Sequence, residues 1–357
     1  MTNIVLEKMH YGAIHEQIEL ARKVYQSPEV IDPLHIQWKH INGICGPSFV
    51  VAVRDGIGVL QGRSFLQTRK FFTTSGVLVN GAVVTDLVVN PAARNALTLI
   101  SLTRAIKSPK EIDVVIHTSN QTSDILYKAL FKFPVSFTLK AFGIPLHFKN
   151  ILKTHIQSTA ILSCINLFFS PYRLGLRFAS KIALGLTGVR FIPEPDSKMM
   201  NDIFASFNLI SGDHFERNAA YLKWRFQDGP IFNGDIKWVG INNVCVGYVA
   251  LSQVQINGIS ICVIMDAAMR RKLAWFEGIA IKFLTISYAL KNSCDVVFTL
   301  INANNCCLKW LGRFPFVSIP DRLLPHPTPI FIHAPEEILS NLNRKRVFLT
   351  LADLDYF

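Results

Sequence analysis

Ile14, Ile18, Ala21 and Val24 recur at helical spacing, which predicts an amphipathic helix over residues 12–26. Phe49 to Arg54 is a β-rich run, followed by Asp55-Gly56 and a second run from Ile57 to Ser64. An Asp-Gly pair between two such runs predicts a type I′ hairpin, because that turn needs positive φ at both central residues. Gly81 to Val89 reads as a strand stopped by Asn90-Pro91. Ala92 to Lys107 carries Leu99, Leu102 and Ile106 on one helical face. Asp113 to Thr118 reads as another strand, and Thr122 to Lys132 as another helix.

The same order returns downstream. Residues 236–241 and 244–252 flank Asn242-Asn243, which also tolerates positive φ. A strand from Ile259 to Asp266, a helix from Arg270 to Leu290, a strand from Asp295 to Thr299 and a helix from Asn304 to Gly312 follow. Asp113-Val-Val-Ile-His-Thr-Ser-Asn120 matches Asp295-Val-Val-Phe-Thr-Leu-Ile-Asn302 at an offset of 182. The Phe133-Pro134 and Phe314-Pro315 pairs match at 181, Trp38 and Trp224 at 186, and Asp86 and Asp266 at 180. Four matches in one order at nearly one offset predict a duplicated domain. Each copy reads as a mixed sheet with helices on its faces, an α/β (α+β) fold. The predicted division is an N-terminal domain over 1–148, an apolar basic connector over 149–190 and a C-terminal domain over 191–357. At 357 residues, two domains also agree with the length.

Composition narrows the chemistry. Half of the residues are hydrophobic and the mean hydropathy is +0.29, so each half has the means to bury a core. The net charge of +12 suits a polyphosphate ligand, an anionic glycan or lipid headgroups as well as a plain solvated surface. No nucleic-acid motif appears, so DNA is not expected as a partner. Seven cysteines without a C-x-x-C favour neither a disulfide framework nor zinc, and point to a reducing cytoplasm. The ten histidines include no H-E-x-x-H, so no metal site is expected. The N-terminus is charged throughout and lacks the apolar stretch of a signal peptide. The segment from Thr154 to Tyr172 is free of Asp, Glu, Lys and Arg but too polar to span a bilayer. Within 151–186 it reads either as a linker helix packing two domains or as a peripheral membrane contact, with Lys153, Arg173, Arg177 and Lys181 toward headgroups. Gly56-Ile-Gly58-Val-Leu-Gln-Gly62 lies on a hairpin, not between strand and helix, which excludes a dinucleotide loop.

The element order and the run V-V-N-P-A-A-R-N-A-L-T-L from Val88 to Leu99 resemble the GNAT acetyltransferase superfamily. W-K-H-I-N-G-I-C-G-P-S-F-V-V-A-V from Trp38, Y-L-K-W-R-F from Tyr221 and V-F-L-T-L-A-D-L-D-Y-F from Val347 resemble its two-domain bacterial branch, often associated with surface-polysaccharide synthesis. The resemblance spans nearly the whole chain. It implies an acyl-CoA cosubstrate, acetyl-CoA first, held by the strand residues Leu87, Val88 and Val89 and by the following loop. Arg94 fills the first position of the family's phosphate loop, whose glycines are replaced here by Leu97 and Leu99. Amides of Asn95, Ala96, Leu97 and Thr98 remain as donors at a helix N-terminus.

The resemblance also implies that Asn120 contacts coenzyme A and that Tyr127 protonates the leaving thiolate. Asp86 is read either as a general base or as a structural hydrogen-bonding group. Trp224 and Arg225 are read as packing residues or as an acceptor site. The second copy has Leu308 at the tyrosine's position and no glycine in Met265 to Arg271, so the first copy is the expected active half. The expected function is N-acyl transfer to an amino sugar or related amine in cell-surface glycan synthesis. Two alternatives stay open: a non-catalytic binding protein with a decayed coenzyme loop, and a transferase using aminoacyl-tRNA as the tandem Fem enzymes do.

Overall fold

The computed structural model describes the chain except residues 1–2, 26–27, 108, 120–122, 125–126, 128–131, 154–155, 157, 231–233, 325 and 355–357. In chain order the strands are β1 (Asn3–Lys8), β2 (Phe49–Arg54), β3 (Leu60–Phe72), β4 (Leu78–Val89), β5 (Val114–Thr118), β6 (Phe137–Pro145) and β7 (Val189–Ile192). They continue as β8 (His214–Phe215), β9 (Asp235–Ile241), β10 (Val244–Ile256), β11 (Ile259–Met269), β12 (Val296–Ile301), β13 (Val317–Ser318) and β14 (Thr328–His333).

Two compact units result, and they do not follow the division at 148 and 190. Unit 1 comprises Met1–Thr138, Gly212–Asn233 and His326–Phe357, and unit 2 comprises Leu139–Ser211 and Gly234–Pro325. Unit 1 has the sheet order β1-β2-β3-β4-β5-β14, in which β4 and β5 pair parallel and the other neighbours antiparallel. Unit 2 repeats that order as β7-β9-β10-β11-β12-β6, in which β11 and β12 pair parallel and the other neighbours antiparallel. The last strand of each sheet comes from the opposite half of the sequence. β14, near the C-terminus, pairs with β5, whereas β6, from the first half, pairs with β12.

Alternation along β2 builds both faces of unit 1. Val50 and Ala52 pack with Ile18 and Leu20 of the helix Ile14–Arg22. Val51 and Val53 face the other way, onto Leu102 and Ile106 of the helix Ala96–Lys107. The segment read as a connector belongs to unit 2 and forms helices Phe148–Lys153, Thr159–Phe168 and Ser170–Thr187.

Several expected boundaries shift for local reasons. Asn242 and Asn243 adopt φ of 49° and 68°, the tight turn their side chains allow. The Asp55-Gly56 turn is looser: the Asp55 carboxylate accepts from the amides of Ile57 and Val59, and Gly58 carries the positive φ of 87°. β3 therefore starts at Leu60 and runs on to Phe72, longer than its β-rich signal. Residues 304–312 form successive turns instead of a helix. Most of the helix expected over 122–132 lies outside the described residues.

Candidate functional site

β4 and β5 pair at Gly81–Val114, Ala82–Val115 and Val83–Ile116, and then part. The cause lies on the other side of β4. Arg63 faces Val88 and Phe65 faces Thr85, so the single residue Ser64 faces both Asp86 and Leu87. Such a bulge bends its strand, and Asp86 takes the left-handed φ of 49°. The diverging ends open a cleft of about 240 Å³, lined by Val84 to Leu87, Thr118, Ser119 and Tyr127. The Tyr25 hydroxyl donates to the Leu87 carbonyl at 3.1 Å on its rim.

Asp86 is clamped by the helical segment Gln37–Ile41. Its carboxylate accepts from Lys39 Nζ and from His40 Nε2, both at 3.0 Å. With Nε2 carrying the proton, His40 Nδ1 accepts from Ser48 Oγ at 3.1 Å. Burial lowers the His40 pKa to about 3, although the Asp86 bond works against this, so the ring is neutral. Burial alone would raise Asp86, but the Lys39 ammonium and the His40 bond overcome it and hold the carboxyl well below its usual range. A carboxylate with so little proton affinity is a poor general base. The bulge-locking role accounts for Asp86 better than base catalysis.

Tyr127 is buried at the cleft, with its ring 4.8 Å from that of His117. Burial pushes its phenol up to about 12, so it is protonated at neutral pH and able to donate. His117 and His333 face each other through Nε2 atoms 2.9 Å apart. Asn120, the expected coenzyme contact, lies outside the described residues.

The loop after β4 is largely self-satisfied. Asn90 accepts from the Ala92 amide and donates to Gln61 Oε1. Arg94 is exposed, and its Nε donates to the Val89 carbonyl at 3.1 Å. Asn95 caps the helix Ala96–Lys107 by accepting from the Thr98 amide at 2.9 Å. That leaves Ala96 and Leu97 as the first-turn amides ahead of the first helical bond, Leu99 N–H to Asn95. Leu97 is 75 % exposed and Leu99 packs into the core, so neither plugs the cleft. Of the strand residues, Leu87 lines the cleft, while Val88 and Val89 are buried and paired with β3.

Trp224 and Arg225 sit away from any open surface. Trp224 stacks on Trp38 at 5.2 Å, and each indole donates to the other's backbone carbonyl, at 2.9 and 3.3 Å. Arg225 is buried, with its guanidinium 5.9 Å from the Trp38 ring centroid. Of the two readings, packing fits this burial better than an acceptor site, because a buried indole leaves little face for a sugar.

Unit 2 holds a pocket that sequence reasoning missed. β11 is bulged as β4 is: Ala250 faces Asp266 and Leu251 faces Ile264, leaving Met265 unopposed. Asp266 accepts from the Tyr248 hydroxyl at 2.8 Å. Beyond the end of β11 lies a cavity of about 210 Å³ lined by Arg271, Lys272, Lys282, Lys309, Arg313 and two tryptophans, Trp275 and Trp310. Arg271 is bound at both nitrogens by Glu277, each at 2.7 Å. Lys282 donates to the Trp310 and Arg313 carbonyls, and burial, with Arg313 nearby, pulls it down to about 7. Lys272, Lys309 and Arg313 have no carboxylate partner among the described residues. The signal legible in the sequence is Arg270-Arg271-Lys272 just past the strand end. Among the described residues no group of three metal-binding side chains occurs.

No protein-family model and no curated protein matches this sequence. Solved structures do. A GCN5-related N-acetyltransferase from Anabaena variabilis superposes with a TM-score of 0.56 at 11% identity, covering 92% of this chain and 72% of that one. N-myristoyltransferase of Saccharomyces cerevisiae with bound myristoyl-CoA gives 0.55 at 9% identity, covering 97% and 89%. Eis1 from Mycobacterium abscessus gives 0.51 at 11% identity, covering 96% and 76%. With the bulged β4 and the β4–β5 cleft, these likenesses show that the chain has the fold of the GCN5-related N-acetyltransferases.

Proposed function

We propose that this protein transfers an acyl group from an acyl-CoA thioester to a primary amine, with the cleft of unit 1 as the reaction site. The observation that carries the reading is the bulge-opened gap between β4 and β5 with a protonated phenol on its wall. An extended thioester arm fits such a gap because the parted strands present backbone groups no longer used in pairing. The amine attacks the thioester carbonyl directly; the C–N bond forms and the C–S bond breaks. Tyr127 gives its proton to the departing thiolate. The proton lost by the amine passes to water, since Asp86 is held deprotonated by Lys39 and His40. The acceptor class we assign is an amino sugar in surface-glycan synthesis, which rests on the resemblance of the whole chain to the two-domain branch.

A second reading has a specific observation in its favour. Lys272, Lys309 and Arg313 around the unit 2 pocket suit the phosphates of the donor better than the loop at Arg94, which is bonded to its own strand.

Tyr127→Phe tests the chemical step. Coenzyme A thiol release, followed with acetyl-CoA and a panel of amino sugars, is expected to slow by about 10²–10⁴-fold in kcat with little change in KM. An unchanged kcat would remove Tyr127 from the mechanism.

A further inference from the structure

We propose that the helix Ser170–Thr187 of unit 2, with the end of the helix that precedes it, docks this protein on an anionic lipid bilayer surface. Leu174, Phe178, Ile182 and Leu186 recur every four residues along this helix, and all four are exposed, by 46 to 83 %. Such spacing puts them on one face. Leu167 and Phe168, the last residues of the preceding helix Thr159–Phe168, are exposed as well, at 76 and 78 %. Six large exposed apolar side chains on one helix and the end of the helix before it exceed what scattered surface residues amount to. The opposite face of the helix is occupied, because Leu176 and Ser180 are buried.

Charge selects the occupant. Arg177 and Lys181 are exposed one helical step from the apolar stripe, and Lys153 is exposed on the preceding helix. Arg173 is held in place by His147 Nδ1 at 3.0 Å. From residue 125 to residue 193 the sequence has nine Lys and Arg and neither Asp nor Glu. A second copy of this chain would bring two cationic faces together and be repelled. An anionic bilayer instead accepts the apolar side chains below its headgroups and the cations among them. The helix lies in the interface: among the described residues no helix is long and apolar enough to cross a membrane.

Co-sedimentation of the full chain with phosphatidylcholine vesicles, with and without about one-third phosphatidylglycerol, tests this. The expected result is binding to the anionic vesicles that weakens as salt rises. Arg177→Ser with Lys181→Ser is expected to weaken it roughly thirtyfold, about fivefold for each charge removed. Phe178→Ser is expected to weaken it separately, with an unchanged melting temperature because the side chain is already in water. Equal binding to both vesicle types, or no binding to either, would overturn the proposal. So would a concentration-dependent dimer, seen by light scattering and abolished by Phe178→Ser, because the face would then be a self-interface.

Discussion

Asp353→Ala is expected to lower the stability of the chain by about 3–5 kcal/mol, read as a shift in the urea midpoint. Asp353 sits near the C-terminus, in the run that resembles the two-domain branch, and is fully buried in unit 1. One carboxylate oxygen takes Arg69 at 2.9 Å, and the other takes Arg217 at 2.6 Å and the Thr350 amide at 3.1 Å. The two guanidiniums also lie over the Tyr221 ring, at 4.6 and 4.8 Å. Removing the carboxylate strands two buried cations, and that loss, not the net strength of the ion pairs, sets the magnitude. Replacing Arg69, Arg217 and Asp353 together by apolar residues of similar volume should therefore cost less than Asp353→Ala alone. A single variant with an unchanged midpoint would show that the triad is not closed in solution.

Acidification from pH 7 to pH 5 is expected to remove on the order of 5–10 kcal/mol from unit 1. Five buried histidines of unit 1 are neutral in the folded state. Burial lowers His35, His214 and His333 to about 4, His40 to about 3, and His117 well below its usual value. In the unfolded chain each binds a proton near pH 6.5, so the unfolded state takes up more protons as the pH falls. The stability is complete above that value and is lost as pH drops through 6.5 toward 4. Each of His35, His40, His214 and His333 contributes about 2 kcal/mol between pH 7 and 5, and His117 adds in the same direction. Asp86 and Asp353, held below their usual range, stabilise above about pH 4 and add their loss only below it. Melting temperatures between pH 7.5 and 4.5 check this. A flat profile to pH 4.5 would contradict the buried neutral histidines.

The strands that carry the cleft were legible because β-branched runs mark β4 and β5 whatever surrounds them. β1 was not: it is an edge strand, mostly exposed, with Glu7 and Lys8 at its end, so no alternation marks it. Trp38 and Trp224 were legible as equivalent positions, but nothing local says that they stack on each other. The exchange of β6 and β14 also escapes a local reading, since a strand's partner is set by long-range packing. At the site, Asp86 stood out as a strand-end carboxylate. Its clamp did not, because Lys39 and His40 are over forty residues away and stood only within the run from Trp38 that carries the resemblance. The unit 2 pocket draws cations from residues 271–282 and 309–313, and no single window of sequence contains them all.

Isothermal titration of the full chain with acetyl-CoA is the most direct test of the acyl-donor reading. The account predicts a saturable heat at one site with a dissociation constant below about 1 mM, in the range of ordinary enzyme substrates. Lys272→Glu with Lys309→Glu locates that site: retained binding keeps the donor in unit 1, and lost binding moves the donor site to unit 2. No heat and no competition at millimolar acetyl-CoA, or at millimolar longer-chain acyl-CoA, would contradict the account.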